Sequence, residues 1–444
     1  MLASQPHPAT VHTEHHHTAA IIPLPDGQTL RHYDSSFVDP TIHTYVLAAL
    51  GTVAAGTGPS SNPRIIVVDT TTNQVVNEYN AKPTFAGHCS IPPARDLFSG
   101  PSGVILIEGK IAGQNTRGEI WASDGPIYTP SCAYPGNPSN ISGTLTTPSS
   151  VKVIDLKTGH TRASISTGGQ ARADDLCYNP NSNVVLVGNG NTIDNFITFI
   201  DARRYDVIGR IKFDGTDANS GPFSNGLQAN GIEFCVFNPR DGKFYLNIPA
   251  VVSTNTQGYT LRISAAAPFK VEAAFQIPKT SGCTGGFGLA VGPAHQLALA
   301  CGAPSANSLI ISDLFDGTAI PAGPGGVDEA WYNSGTNHYY YGGFQARPTA
   351  LVGVVDAGST TNNSCNTTPV PSGCPTSDPS IPTPLVFAHS VAADSVSNQV
   401  YVPIRSSLFG GVTVCSSFTG QAANDVQGCI AVYHDVGEVP HGSN

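Results

Sequence analysis

Apolar and polar positions alternate along this chain in one recurring phrase: an apolar run closed by a small acidic or polar residue, a turn, and a second apolar run. It reads RIIVVDTTTNQVV at Asp69, SVKVIDLKTGHT at Asp155, FITFIDARRYDVIGRI at Asp201 and YTLRISAAAPFKV at Ser264. It returns as SLIISDLFDG at Asp313, ALVGVVDAGS at Asp356 and CIAVYHDV at Asp435. Period-two alternation closed by Asp, Asn, Gly or Ser predicts a half-buried strand entering a tight turn. Recurrence of such a unit at a spacing of ~40 to 90 residues predicts stacked four-stranded sheets rather than one sandwich. Seven copies predict a seven-bladed, all-β propeller.

A second phrase precedes each of these. ADDLCYNPNSNVVLVGN (173–189), GIEFCVFNPRDGKFYLNI (231–248), GFGLAVGPAHQLALAC (286–301) and AHSVAADSVSNQVYVPI (388–404) each read as strand, turn, β-branched or aromatic strand. VDEAWYNSGTNHYYYGG (327–343), SSFVDPTIHTYVLAA (35–49) and GHCSIPPARDLFSGPSGVILIEG (87–109) fit the layout with slips. Each blade is therefore expected to be two hairpins in succession. The last copy runs out after its third strand, so Ala19 to Leu24 is expected to supply the fourth from the other end of the chain. That pairing closes the ring and removes an open sheet edge. The expected organisation is a flexible His-rich tail at 1–18, one propeller domain at 19–436 and a short tail at 437–444.

AHSVAADSVSNQVYVPI and ADDLCYNPNSNVVLVGN resemble the repeat of the YVTN-type propellers, within the lactonase-like and SMP-30/gluconolactonase-like seven-bladed group. The resemblance spans roughly 19–435 and implies the fold. The group includes sugar lactonases, phosphotriesterase-like hydrolases and non-catalytic surface proteins, so function has to come from the site. In gluconolactonase-like enzymes an acidic residue, an Asn and an Asp hold one metal in the channel. Glu233, Asn230 and Asp174 are similar in type, at a different spacing and beside two further histidines.

Composition narrows the class. With 444 residues, 47 Gly, 35 Pro and 12% charged residues, the chain suits many tight turns and few solvated helices. A net charge of −10 argues against a nucleic-acid or anionic-membrane partner, and no apolar run approaches the ~20 residues of a membrane span. A small-molecule partner is the expectation. The ten cysteines include no C-x-x-C pair, which favours disulfides and an extracellular or periplasmic location. Cys365–Cys374, Cys415–Cys429 and Cys283–Cys301 each flank one local loop or hairpin; Cys89–Cys132 and Cys177–Cys235 follow by elimination. Residues 1–18 hold no apolar signal core, so a mature secreted chain with its leader removed is expected.

Candidate chemistry sits where the inner strands begin, around one mouth of the central channel. Aligning the seven copies places Asp34, His88, Asp174 or Asp175, Glu233, Phe287, Asp328 or Glu329, and His389 there, with a one-residue slip in two blades. Packed acids and imidazoles repel or desolvate one another unless a cation or shared proton compensates. The candidate metal ligands are His88, Asp174, Glu233, Glu329 and His389, and the candidate catalytic residues are His88, Glu233 and His389. Two histidines with carboxylates suit Zn, Mn or Fe, whereas an all-oxygen set suits Ca. Asp and Glu at strand starts also cap turns, but Glu233 in NGIEFCVF has apolar neighbours on both sides. The chain lacks a G-x-S-x-G elbow and a phosphate-loop lysine. These residues predict a metal-dependent hydrolase, lactonase or lyase. The alternative is a non-catalytic extracellular binding propeller that uses the insertions Lys110 to Pro148, Thr361 to Leu385 and Arg405 to Gln427.

Overall fold

At Asp69, Asp155 and Asp201 the recurring phrase is a hairpin whose turn is built by its own acidic residue. Asp69 ends the strand Arg64–Asp69, and its Oδ1 accepts the backbone N–H groups of Thr71 (2.8 Å) and Thr72 (3.0 Å). Asn73, at φ 54°, then turns the chain into Gln74–Tyr79. Asp155 and Asp201 repeat the device on Lys157 (3.0 Å) and Arg203 (2.8 Å), as do Asn179, Asn333 and Asp394 in hairpins between first and second strands. A short side chain that satisfies turn amides, followed by a residue tolerant of the left-handed region, is what these positions require.

The computed structural model describes residues 17–25, 28–51, 62–80, 85–87, 100–109, 116–129, 144–190, 195–252, 258–293, 296–311, 314, 316–343, 351–357, 377–382, 389–406, 415–416 and 426–435. These residues form seven four-stranded antiparallel sheets. Their innermost strands are Tyr33–Asp39, Val104–Gly109, Ala173–Asn179, Cys235–Asn238, Gly286–Val291, Val327–Asn333 and Ala392–Asp394, numbered here as blades 1 to 7. Each touches the next, and the last touches the first, so the ring is closed around a central channel. Apolar faces of neighbouring blades make the core; Tyr45 of blade 1 stacks on Tyr401 of blade 7 with centroids 5.0 Å apart.

Closure is as expected from the sequence. His17–Pro23 lies on the outside of blade 7, pairing with Cys429–His434 in the register Ile21↔Ala431 and Ile22↔Ile430. Three of the expected disulfides join described residues: Cys177–Cys235, Cys283–Cys301 and Cys415–Cys429. The first staples the inner strands of blades 3 and 4 together, with Cα atoms 5.7 Å apart. Such bonds belong to an oxidising environment. Cys89, Cys132, Cys365 and Cys374 lie outside the described residues, as do the two tails except 17–18.

Blade 2 departs from the sequence alignment. Val104–Gly109 is its first strand, not its second, and the second is Thr116–Asp124. The segment read as an insertion from Lys110 thus holds a blade strand, with a small hairpin of Ile127–Thr129 and Thr144–Thr147 beyond it. The interrupting charges of Thr116–Asp124 hid it: Glu119 is buried because Arg162 (2.6 Å), Tyr205 (2.5 Å) and the Trp121 indole (3.0 Å) all bond to it. The insertion read from Thr361 likewise contributes Ser377–Pro382, the outer strand of blade 6.

Two stability predictions follow from this packing. Ile22 of the closing strand is fully buried, so Ile22→Ala should cost about 2–5 kcal/mol, read as a lower urea midpoint at unchanged slope. At Asp155 burial alone raises the carboxyl, but bonds from Arg162 and Thr158 outweigh it and hold the pKa at about 2. A lowered acid stabilises above its ordinary value of 3.8 and loses that contribution as pH falls through about 2. The stability deficit of Asp155→Asn should therefore be complete at pH 6 and vanish towards pH 2 in parallel denaturation curves.

Candidate functional site

The inner strands break register where they enter the channel. Bulges fall between Tyr33 and Ser36, Ala173 and Leu176, Gly286 and Leu289, and Val327 and Ala330. Each leaves two successive residues out of the ladder, namely Asp34–Ser35, Asp174–Asp175, Phe287–Gly288 and Asp328–Glu329. A bulge re-aims side chains that a regular strand would alternate between faces. Blade 4 irregularly presents Glu233, whose N–H donates to the Asn247 carbonyl (3.0 Å) while Asn247 N–H donates to Phe234 (3.1 Å). Two glycines make room for neighbouring bulges: a Cβ on Gly103 would lie 2.5 Å from the Asp174 carbonyl oxygen, and one on Gly288 2.6 Å from that of Asp328.

The result is a polar cavity of about 210 Å³, lined by Asp34, Asp175, Glu233, Asp328 and Glu329, with Arg172, Arg405 and His389 as the opposing charges. Arg172 ties two blades together, its guanidinium reaching Asp34 at 3.1 Å and Asp174 at 2.7 Å. His389 Nε2 lies 2.6 Å from Asp328 and its Nδ1 3.6 Å from Asp34. Glu329 is buried and accepts a hydrogen bond from Ser390 Oγ at 2.6 Å. Ser390 Oγ in turn lies 2.6 Å from Ser36 Oγ.

Acid exceeds base here, and the titration of the groups reflects it. Burial raises Asp174 to about 7, with Arg172 pulling it back and Asp34 pushing it up. Burial, then the charge of Asp174, raises Asp175 and Glu233 well above the usual carboxylate range. Burial and Asp175 do the same to Glu329. Burial would lower the His389 imidazole, but the charge and hydrogen bond of Asp328, with Asp34 behind them, outweigh it and raise it to about 9. Such a cluster can take up a cation or exchange protons near neutrality.

Of the residues singled out in the sequence, Glu233, Glu329 and His389 come together at this mouth. His88 lies outside the described residues, and blade 2 enters its first strand through Ser102–Gly103. Asp174 gives its carboxylate to Arg172, while Asp175 lines the cavity. Asp328, the alternative to Glu329, is the residue that meets His389. Together Asp34, Asp328 and His389 offer three ligand atoms within 4.8 Å of one another, a donor set that fits a divalent ion. Asn230 instead bridges Ala250 in a short ladder beside blade 4. Arg172 and Arg405 escaped the sequence reading, although Arg172 stands two residues before Asp174 in ARADD.

No known protein family and no curated protein matches the chain. Solved structures do. The chain is similar to one in the crystal structure of the mitotic checkpoint complex (TM-score 0.51, 10% identity, 98% of this chain and 96% of that one). It is similar to Kuenenia stuttgartiensis hydrazine synthase (TM-score 0.54, 13% identity, 84% and 92%) and to U3-55K (TM-score 0.54, 7% identity, 93% and 97%). At these identities the likeness is of fold alone.

The His389 pair makes a direct prediction. In chelator-treated, metal-free protein its imidazole should titrate near 9 by NMR, and Asp328→Asn should move the midpoint down toward the ordinary 6.5, since the amide removes the charge that raises it. A raised histidine stabilises fully below 6.5 and loses that contribution as pH rises through 9.

Proposed function

We propose that the protein is a secreted propeller enzyme that holds a divalent metal ion at the channel mouth and acts on a small polar or cyclic substrate, as a hydrolase of the lactonase type or a lyase. The convergence of Asp34, Asp328 and His389 inside a cavity rich in acid carries this reading. One imidazole with two carboxylates favours Zn, Mn or Fe over Ca. The ion would polarise a substrate carbonyl and lower the pKa of a bound water.

The chain's own residues account for the rest of the chemistry. Arg172 orients Asp34 through its 3.1 Å contact and, with Arg405, attracts a developing negative charge on the substrate. Glu329, its carboxyl raised by burial and steadied by a hydrogen bond from Ser390, suits a proton donor, and Glu233 of blade 4, raised in the same way, suits a second proton carrier. The disulfides support export from the cell.

Metal analysis of the purified protein tests this. Near-stoichiometric Zn, Mn or Fe is expected, and Asp328→Asn and His389→Ala should each weaken the ion at least tenfold by calorimetry while the circular dichroism is unchanged. Affinity should rise with pH, because His389 must lose its proton to ligate. Absence of metal, with binding unaffected by both substitutions, overturns the reading.

A further inference from the structure

Below the acidic mouth the channel changes character within one to three residues on blades 1, 4 and 6. A second cavity of about 460 Å³ lies there, walled by Phe37, Leu176, Phe234, Val236, Val291 and Trp331 among others. On blade 1 the sequence passes from Asp34 at the mouth to Phe37 and Val38 below. Blade 4 passes from Glu233 to Phe234 and Val236, and blade 6 from Asp328 and Glu329 to Ala330 and Trp331. Asp175 and Phe234 line both cavities, so one chamber's floor is the other's ceiling. Asp175 is also the single carboxylate among the lower chamber's lining residues.

The lower chamber is a built feature rather than slack between blades. Trp331 braces one wall, packing edge-on against Phe37 at 5.4 Å while its indole N–H donates to the Ala393 carbonyl at 2.9 Å, which links blades 1, 6 and 7. Cys177–Cys235 staples blades 3 and 4 across the opposite wall, and both cysteines line the chamber. An apolar space with a few convergent polar groups at one end is the usual form of a small-molecule site.

We infer that the ligand of this protein is an amphiphile whose polar head sits at the acidic mouth and whose apolar arm, an alkyl chain or ring, fills the lower chamber past Asp175 and Phe234. The inference deepens the proposed function and rests on it for the head group's chemistry, but the apolar arm is testable without metal or turnover. Transfer of each methylene into the chamber tightens binding about three- to fourfold.

The test uses the whole protein and a neutral fluorescent probe, N-phenyl-1-naphthylamine, displaced by γ-lactones of increasing side-chain length. The wild type should bind the probe, and displacement should strengthen about three- to fourfold per methylene until the chamber is full. Val236→Trp and Val291→Trp, at half-buried wall positions, should each weaken the probe and flatten the chain-length series at unchanged circular dichroism. Asp328→Asn should leave the series intact even where it abolishes metal binding, which separates failure of the metal reading from failure of this one. A wild-type protein that neither binds the probe nor shows chain-length dependence overturns the inference, as does a series unchanged in both folded tryptophan variants.

Discussion

The bulge at the head of the inner strands is the constraint on which the rest of this molecule depends. A regular strand would send alternate residues to opposite faces, and Asp174 and Asp175, or Asp328 and Glu329, could not both approach one axis. Breaking the ladder there concentrates carboxyl groups from several blades in one small cavity. It also leaves a crowded backbone that only a glycine tolerates on the neighbouring strand, at Gly103 against Asp174 and at Gly288 against Asp328. Local geometry, packing and charge are thus one arrangement.

Charge balance then orders the site. Arg172 is shared between Asp34 and Asp174, and His389 between Asp328 and Asp34, so blades 1, 3, 6 and 7 meet through side chains that each carry half of a compensation. Removing one partner leaves a buried charge behind it, which costs more than the bond was worth. Burial and acidic neighbours raise the remaining carboxyls, Glu233, Glu329 and Asp175, well above the usual carboxylate range. Raised carboxyls gathered in one cavity are the kind of cluster that a cation or a shared proton would relieve.

The scaffold that holds this cavity is closed in two unlike ways. The outer edge is closed by Ile21 and Ile22 pairing across the ends of the chain, and the channel wall by Cys177–Cys235 between adjacent inner strands. Both fix the positions of the inner strands, and through them the bulges. The apolar lower chamber is a consequence of the same spacing, since seven inner strands around one axis leave space that Phe37, Phe234 and Trp331 narrow without filling.

Much of the fold was legible in the residues themselves. Alternation closed by Asp69, Asp155 and Asp201 marks hairpins because a short acidic side chain satisfies the turn amides beside it, and seven copies imply seven blades. The missing last strand and the apolar run near the N-terminus imply how the ring closes. Period-two patterns do not register a bulge, so the choices between Asp174 and Asp175 and between Asp328 and Glu329 stayed open in the sequence; both members of each pair are needed, in different directions. Blade 2 was misaligned because Glu119 breaks the apolar pattern of its second strand, and only the packing of Arg162, Tyr205 and Trp121 around that carboxylate makes the strand viable. Which side chains meet, Asp34 with His389 and Arg172 with both Asp34 and Asp174, was decided by the tertiary structure alone, because these contacts join residues more than a hundred positions apart or cross bulges whose direction depends on the neighbouring blade.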